Sequence, residues 1–69
     1  MKFKAEKLFE IAIEEYRNAG FDTFEDYTLR EGIGNWACES ADDEYGSEED
    51  VREEIMGYIE EDKSMKHLI

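Results

Sequence analysis

Residues equipped for covalent or acid–base chemistry are few in this chain. His67 is the one histidine and Cys38 the one cysteine. A nucleophile–base pair would need Cys38, or a serine, held against that imidazole. His67 is the third residue from the end, where such geometry is seldom maintained. The pattern points away from an enzyme, and Cys38 is expected to be a small, half-buried helix residue. The stretch DDEYGSEED suggests a calcium loop at first sight. With Gly46 at the loop's sixth position, Ala41 takes the first, Tyr45 the fifth and Arg52 the twelfth, all wrong for that site. No CxxC, HExxH or phosphate-loop glycine pattern occurs, so neither a metal nor a cofactor is implied.

What remains is carboxylate. Residues 38–50, CESADDEYGSEED, hold seven acids and no base. Residues 38–62 hold twelve acids against Arg52 alone, whereas residues 1–37 hold eight acids against five bases. The chain's eight bases are scattered, and a field of this sign repels phosphates, so direct nucleic-acid binding is not expected. The same field attracts a protein built to hold nucleic acid. On a helix, Glu49 and Glu53, or Asp50 and Glu54, would stand about 5–6 Å apart at Cβ. Glu39, Asp42 and Asp43 at the end of the preceding helix and Glu60, Glu61 and Asp62 at the far end would extend that row into a ribbon with spacing on the scale of phosphates, open to lysines and arginines shaped for a duplex, with Glu44 and Glu48 adding to the contact charge. Tyr45, in its middle, is either a contact residue or a turn residue packed on the helix ends. A charge run is most often a solvated face. Here it burdens a 69-residue domain with self-repulsion at net charge −12, which favours a use for it.

Three amphipathic stretches must position these groups. Ala5, Leu8, Phe9, Ala12 and Tyr16 recur at steps of three and four, with Phe3, Ile11, Ile13 and Ala19 widening the stripe, and predict a helix over 3–19 ended by Gly20. In the connector, Asp22 or Thr23 is expected to cap a short turn carrying Phe24 and Tyr27 into the core. Thr28 to Glu31 reads as a capping box opening a helix over 29–41, with Leu29, Ile33, Trp36 and Ala37 at helical spacing. Gly32 and Gly34 inside it suggest a close helix crossing or a distortion. Ser47 is a natural N-cap for a helix over 48–62, with Val51, Ile55, Tyr58 and Ile59 as its stripe and no proline to stop it before Met65, Leu68 and Ile69. The expected fold is all-α: one domain, 1–69, forming a small three-helix bundle. Its core would draw on Leu8, Ala12, Tyr16, Phe24, Leu29, Ile33, Trp36, Val51, Ile55 and Ile59.

Composition fits a folded chain, since 41% of residues are hydrophobic and 13% aromatic, unlike a disordered acidic tail. A lone thiol suits a reducing cytoplasm. The opening MKFKAEKLFEIAIEEY, interrupted by acids, predicts neither a signal peptide nor a membrane span.

The segment FEDYTLREGIGNWACESADDEY, followed by a glutamate-rich helix, resembles the small acidic phage proteins of the Ocr type that block restriction enzymes by imitating DNA. The resemblance covers roughly residues 22–62 and rests on composition and helix–acid layout. It implies a helical, cytoplasmic, non-enzymatic inhibitor that occupies a DNA-binding channel. Phage inhibitors of CRISPR surveillance complexes share this style. The expected partner is therefore a basic nucleic-acid-binding protein or complex. Two alternatives are an acidic module that binds a basic regulator such as transcription machinery through apolar groups (Phe3, Tyr27, Met56, Met65), and a homodimer with a seam of Trp36, Met65, Leu68 and Ile69.

Overall fold

Helix α1 (Ala5–Asn18) carries the stripe that everything else covers. Leu8, Ile11, Ala12 and Tyr16 are buried along it, because residues three and four apart share one side of a helix. Its end is closed by Gly20 at φ +94°, a left-handed conformation that glycine adopts without strain. Gly20 N–H donates to Arg17 O and Phe21 N–H to Tyr16 O, both at 3.0 Å. The Phe21 ring then meets Tyr16 edge-on at 5.1 Å, the apolar contact that usually accompanies this closure.

The computed structural model describes residues 1–66, with side chains through Ser64. The expectations placed on His67, Leu68, Ile69 and the Met65 side chain lie outside the described residues. Helices α2 (Tyr27–Ser40) and α3 (Glu48–Lys66) complete an all-α three-helix bundle, with no strand among the described residues. Both pack on α1, and among the described residues no Cα of α2 lies within 8 Å of a Cα of α3. The core is Leu8, Ile11, Ala12 and Tyr16 from α1, Ile33 and Ala37 from α2, and Val51, Ile55 and Ile59 from α3. No described helix is long and apolar enough to cross a membrane.

The connector between α1 and α2 departs from expectation in three ways. Asp22 does close a turn, its carboxylate accepting from the N–H groups of Phe24 (3.0 Å) and Glu25 (2.9 Å). That turn directs Phe24 and Tyr27 outward, each 78% exposed, and buries Thr23 instead. The helix then starts at Tyr27, with Asp26 as the cap: its carboxylate accepts from Leu29 N–H at 3.0 Å. Thr28 therefore sits inside the first turn and opens no capping box. Aspartate caps at least as well as threonine, and the closed turn before it delivers the chain two residues early.

Other differences are smaller. Leu29 and Trp36 are only partly buried at the edge of the core, whereas Ile11 and Ala37 are central. A Cβ on Gly32 would meet nothing within 4 Å, and one on Gly34 would make only an ordinary contact with Phe9 Cε1 at 3.9 Å. Neither glycine marks a tight crossing, and α2 runs through both without a break.

Two tyrosines tether α3. Tyr16 donates to Asp62 at 2.7 Å and Tyr45 donates to Glu54 at 2.7 Å. Burial first, then the carboxylate partner, pushes the Tyr16 hydroxyl well above the usual tyrosine range. The same causes in the same order push Tyr45 up to about 12. Arg52 joins α3 to α1 through Glu15, with Glu14 at 3.6 Å and Glu48 at 3.8 Å.

These contacts set two expectations. Asp26→Ala should cost about 1 kcal/mol as a lost cap, Thr28→Ala less than about 0.5 kcal/mol as an ordinary surface change, and Ile55→Ala about 2–5 kcal/mol as a core cavity. Urea unfolding of the three variants tests the order; a larger loss at Thr28 than at Asp26 would overturn the assignment of the cap. For the tyrosines, the folded chain holds the phenolic proton more tightly than the unfolded chain. Their contribution is complete below the ordinary tyrosine pKa near 10 and is lost as pH climbs through about 12 at Tyr45. The decline in stability between those values should shrink in Tyr45→Phe, measured by denaturant midpoints along the pH series.

Candidate protein-docking surface

The acidic loop between α2 and α3 is pinned rather than loose. Asp43 N–H donates to Ser40 O at 3.0 Å and Tyr45 N–H to Met1 O at 2.8 Å, while the Tyr45 ring meets Phe3 edge-on at 6.1 Å. Ser47 Oγ then accepts from Asp50 N–H at 3.4 Å, and Glu48, Glu49 and Asp50 fill the first turn of α3, where the helix dipole favours anions. A Cβ at Gly46 would come within 2.5 Å of Asp50 Oδ2, the end of an exposed side chain that can swing aside.

The ten candidate contact residues divide by orientation. With about 3.6 residues per turn, the face of α3 opposite Val51, Ile55 and Ile59 presents Glu49, Glu53 and Glu60, all exposed. Glu39, Asp42, Asp43 and Asp50 are also exposed. Among the described residues, no ion pair is found for Glu39, Asp42, Asp43, Glu49, Asp50 or Glu53. Three others are engaged within the molecule. Glu44 pairs with the N-terminal ammonium, Glu48 lies between Lys7 (3.5 Å) and Arg52 (3.8 Å), and Glu54 accepts from Tyr45. Tyr45 is half-buried, with its ring, hydroxyl and N–H all committed to holding the loop.

A second feature escaped the sequence. Because α2 and α3 stand apart on α1, an open groove of about 670 Å³ runs between them. Ala12, Tyr16, Ile33 and Ile55 form its apolar floor. Trp36 and Tyr58 meet across it edge-on, ring centres 6.4 Å apart. Carboxylates of Asp26, Glu39, Glu61 and Asp62 also line it, and among the described residues no lysine or arginine does. Trp36 Nε1–H is shut off from solvent without an aligned acceptor, although the indole lies close enough to the Tyr58 hydroxyl to bear on its acidity. Burial first, then Glu54 and Glu61, raises the Tyr58 hydroxyl above its ordinary range. The signal in the sequence was Leu29, Gly32 and Trp36 beside Ile33 and Ala37, a stripe too wide for one contact face.

Cys38 is exposed, not half-buried; it lies on the side of α2 turned away from the core residues Ile33 and Ala37. Among the described residues no group of three or more histidine, cysteine or acidic side chains is arranged to hold a metal ion. Compared with known proteins, the chain matches no family model, no curated protein and no solved structure.

Proposed function

We propose that this chain is a non-enzymatic docking protein that offers carboxylates, in place of nucleic-acid phosphates, to the cationic surface of a DNA- or RNA-binding enzyme or complex. The observation that carries this reading is the sorting of charge. Six exposed carboxylates, Glu39, Asp42, Asp43, Glu49, Asp50 and Glu53, lack ion partners among the described residues, while Arg52 is turned inward onto Glu14 and Glu15. Exposed ion pairs contribute only about 0–1 kcal/mol, so partnering these acids would add little to folding. Leaving them open preserves a field that steers a basic partner. In its finer form the proposal is a phage-type inhibitor acting in the cytoplasm on a restriction or CRISPR system.

An acidic interaction module on a basic regulator is the second reading, favoured by exposed apolar groups. Phe24 and Tyr27 are each 78% exposed and Met56 46%, whereas Phe3 is half-buried against Tyr45. A homodimer built on Trp36 would compete with that residue's place in the groove.

The test is competition with duplex DNA across a panel of restriction nucleases and CRISPR surveillance complexes at rising salt. The wild-type chain should displace DNA at low salt, and Asp42→Asn, Asp43→Asn, Glu49→Gln and Glu53→Gln combined should weaken displacement at least tenfold. No displacement at low salt would sink mimicry. Losses confined to Phe24→Ala, Tyr27→Ala and Met56→Ala would establish the second reading. The isolated domain should meanwhile gain thermal stability from low to moderate salt, because screening within a Debye length of about 10 Å at 0.1 M relieves self-repulsion.

A further inference from the structure

The geometry points to the α2–α3 groove as a docking site for a cationic amphipathic helix of a partner protein, separate from the outward acids of the loop and α3. Two observations specify that occupant. The first is shape. From Asp26 to Glu39 the groove follows nearly the whole of α2, about 20 Å at 1.5 Å per residue, which is the length of a helix of about thirteen residues. Its walls are two helices and its floor a third, with Trp36 and Tyr58 in contact across it, so a helix laid along it rests over that pair as a fourth member of the bundle.

The second is the distribution of apolar and charged groups. An occupant needs apolar side chains to cover Leu29, Ile33, Trp36 and Tyr58, and cations to meet Asp26, Glu39 and Glu61, all of which line the groove. A second copy of this chain answers poorly, since it brings net charge −12 to an acidic rim. A nucleic acid is repelled outright, and an anionic or uncharged helix leaves the rim unmatched.

Trp36 is the chain's one tryptophan, so its emission reports on the groove directly. The probe is a fourteen-residue leucine/lysine peptide with one apolar and one cationic face. Its controls are a lysine/serine peptide of equal charge and a leucine/glutamate peptide. The leucine/lysine peptide should bind saturably and shift Trp36 emission to the blue. The lysine/serine peptide should leave emission unchanged even where it associates with the outward acids, and the leucine/glutamate peptide should not bind. Gly32→Phe places a ring in the groove at a position where a Cβ meets nothing within 4 Å and where glycine already disfavours the helix. It should weaken binding at least tenfold with helicity retained. Glu39→Gln with Glu61→Gln, both at exposed positions, should weaken it severalfold without any demand on folding.

Any of four results would overturn the assignment: no saturable response, equal emission shifts from the lysine/serine and leucine/lysine peptides, full binding by the rim double variant, or full binding by folded Gly32→Phe. Self-association in sedimentation that Gly32→Phe abolishes would do the same, by giving the groove to a second copy. Glu49→Gln with Glu53→Gln should leave this peptide response intact. Failure of DNA competition and failure of groove binding are therefore separately readable.

Discussion

One apolar face on α1 has to hold two helices that have electrostatic reason to stay apart. Leu8, Ile11 and Ala12 receive Ile33 and Ala37 from one side and Val51, Ile55 and Ile59 from the other. At roughly 1.5–3 kcal/mol for each fully buried large aliphatic side chain, that burial is the term able to outweigh repulsion in a 69-residue chain of net charge −12. α3 carries acids along most of its length, and α2 ends in Glu39 with Asp42 and Asp43 just beyond. Drawing α2 and α3 together would bring those carboxylates into the same space. With their backbones apart on a shared stripe and Trp36 and Tyr58 meeting between them, the two helices leave a groove that several of these carboxylates line.

Helical periodicity then decides which carboxylates are available to a partner. Those rotated toward the protein find donors: Glu54 at Tyr45, Asp62 at Tyr16, and Glu48 between Lys7 and Arg52. The tyrosine contacts are half-buried hydrogen bonds to charged acceptors, a class worth about 1.5–3 kcal/mol each, and they secure α3 and the loop. Acids rotated outward have no such role. The set of ten contact residues expected from sequence is thus narrower as a surface, with six members open and four built into the fold. Tyr45 belongs to the second group: it supports the face without standing on it.

How much of this was legible follows from what each feature depends on. The stripe of α1, the glycine stop at Gly20 and the Ser47 cap depend on local spacing and backbone chemistry, and they were readable. The start of α2 was misread because Asp26 and Thr28 are rival caps two residues apart, and the winner depends on how Asp22 closes the preceding turn. Phe24 was assigned to the core by residue type, whereas the direction of that turn puts Thr23 inside and Phe24 out. Trp36 is expected in the core from its helical spacing with Leu29 and Ile33, and it packs partly buried at the core's edge. The space beside it exists because the backbones of α2 and α3 stand apart, of which the wide α2 stripe is the one local sign. The open carboxylates were legible as a group, but their division into open and engaged required the angular position of each residue on α3.

The outward acids and the groove act over different distances, and that difference bears on how recognition would proceed. Charge is felt across about a Debye length, near 10 Å at 0.1 M salt, and chiefly accelerates encounter with a basic partner. Apolar contact has no such reach. It begins only when water is excluded, and it governs how slowly the pair separates. Glu39 stands at the junction, being both an open acid of the α2 end and part of the groove lining. A partner drawn in by the carboxylates would therefore arrive beside a groove already shaped for a helix. A purely anionic surface releases its partner as salt rises; an adjoining apolar groove does not lose its hold in the same way. A surface with both parts can combine rapid association with retention at physiological ionic strength, which neither part supplies alone.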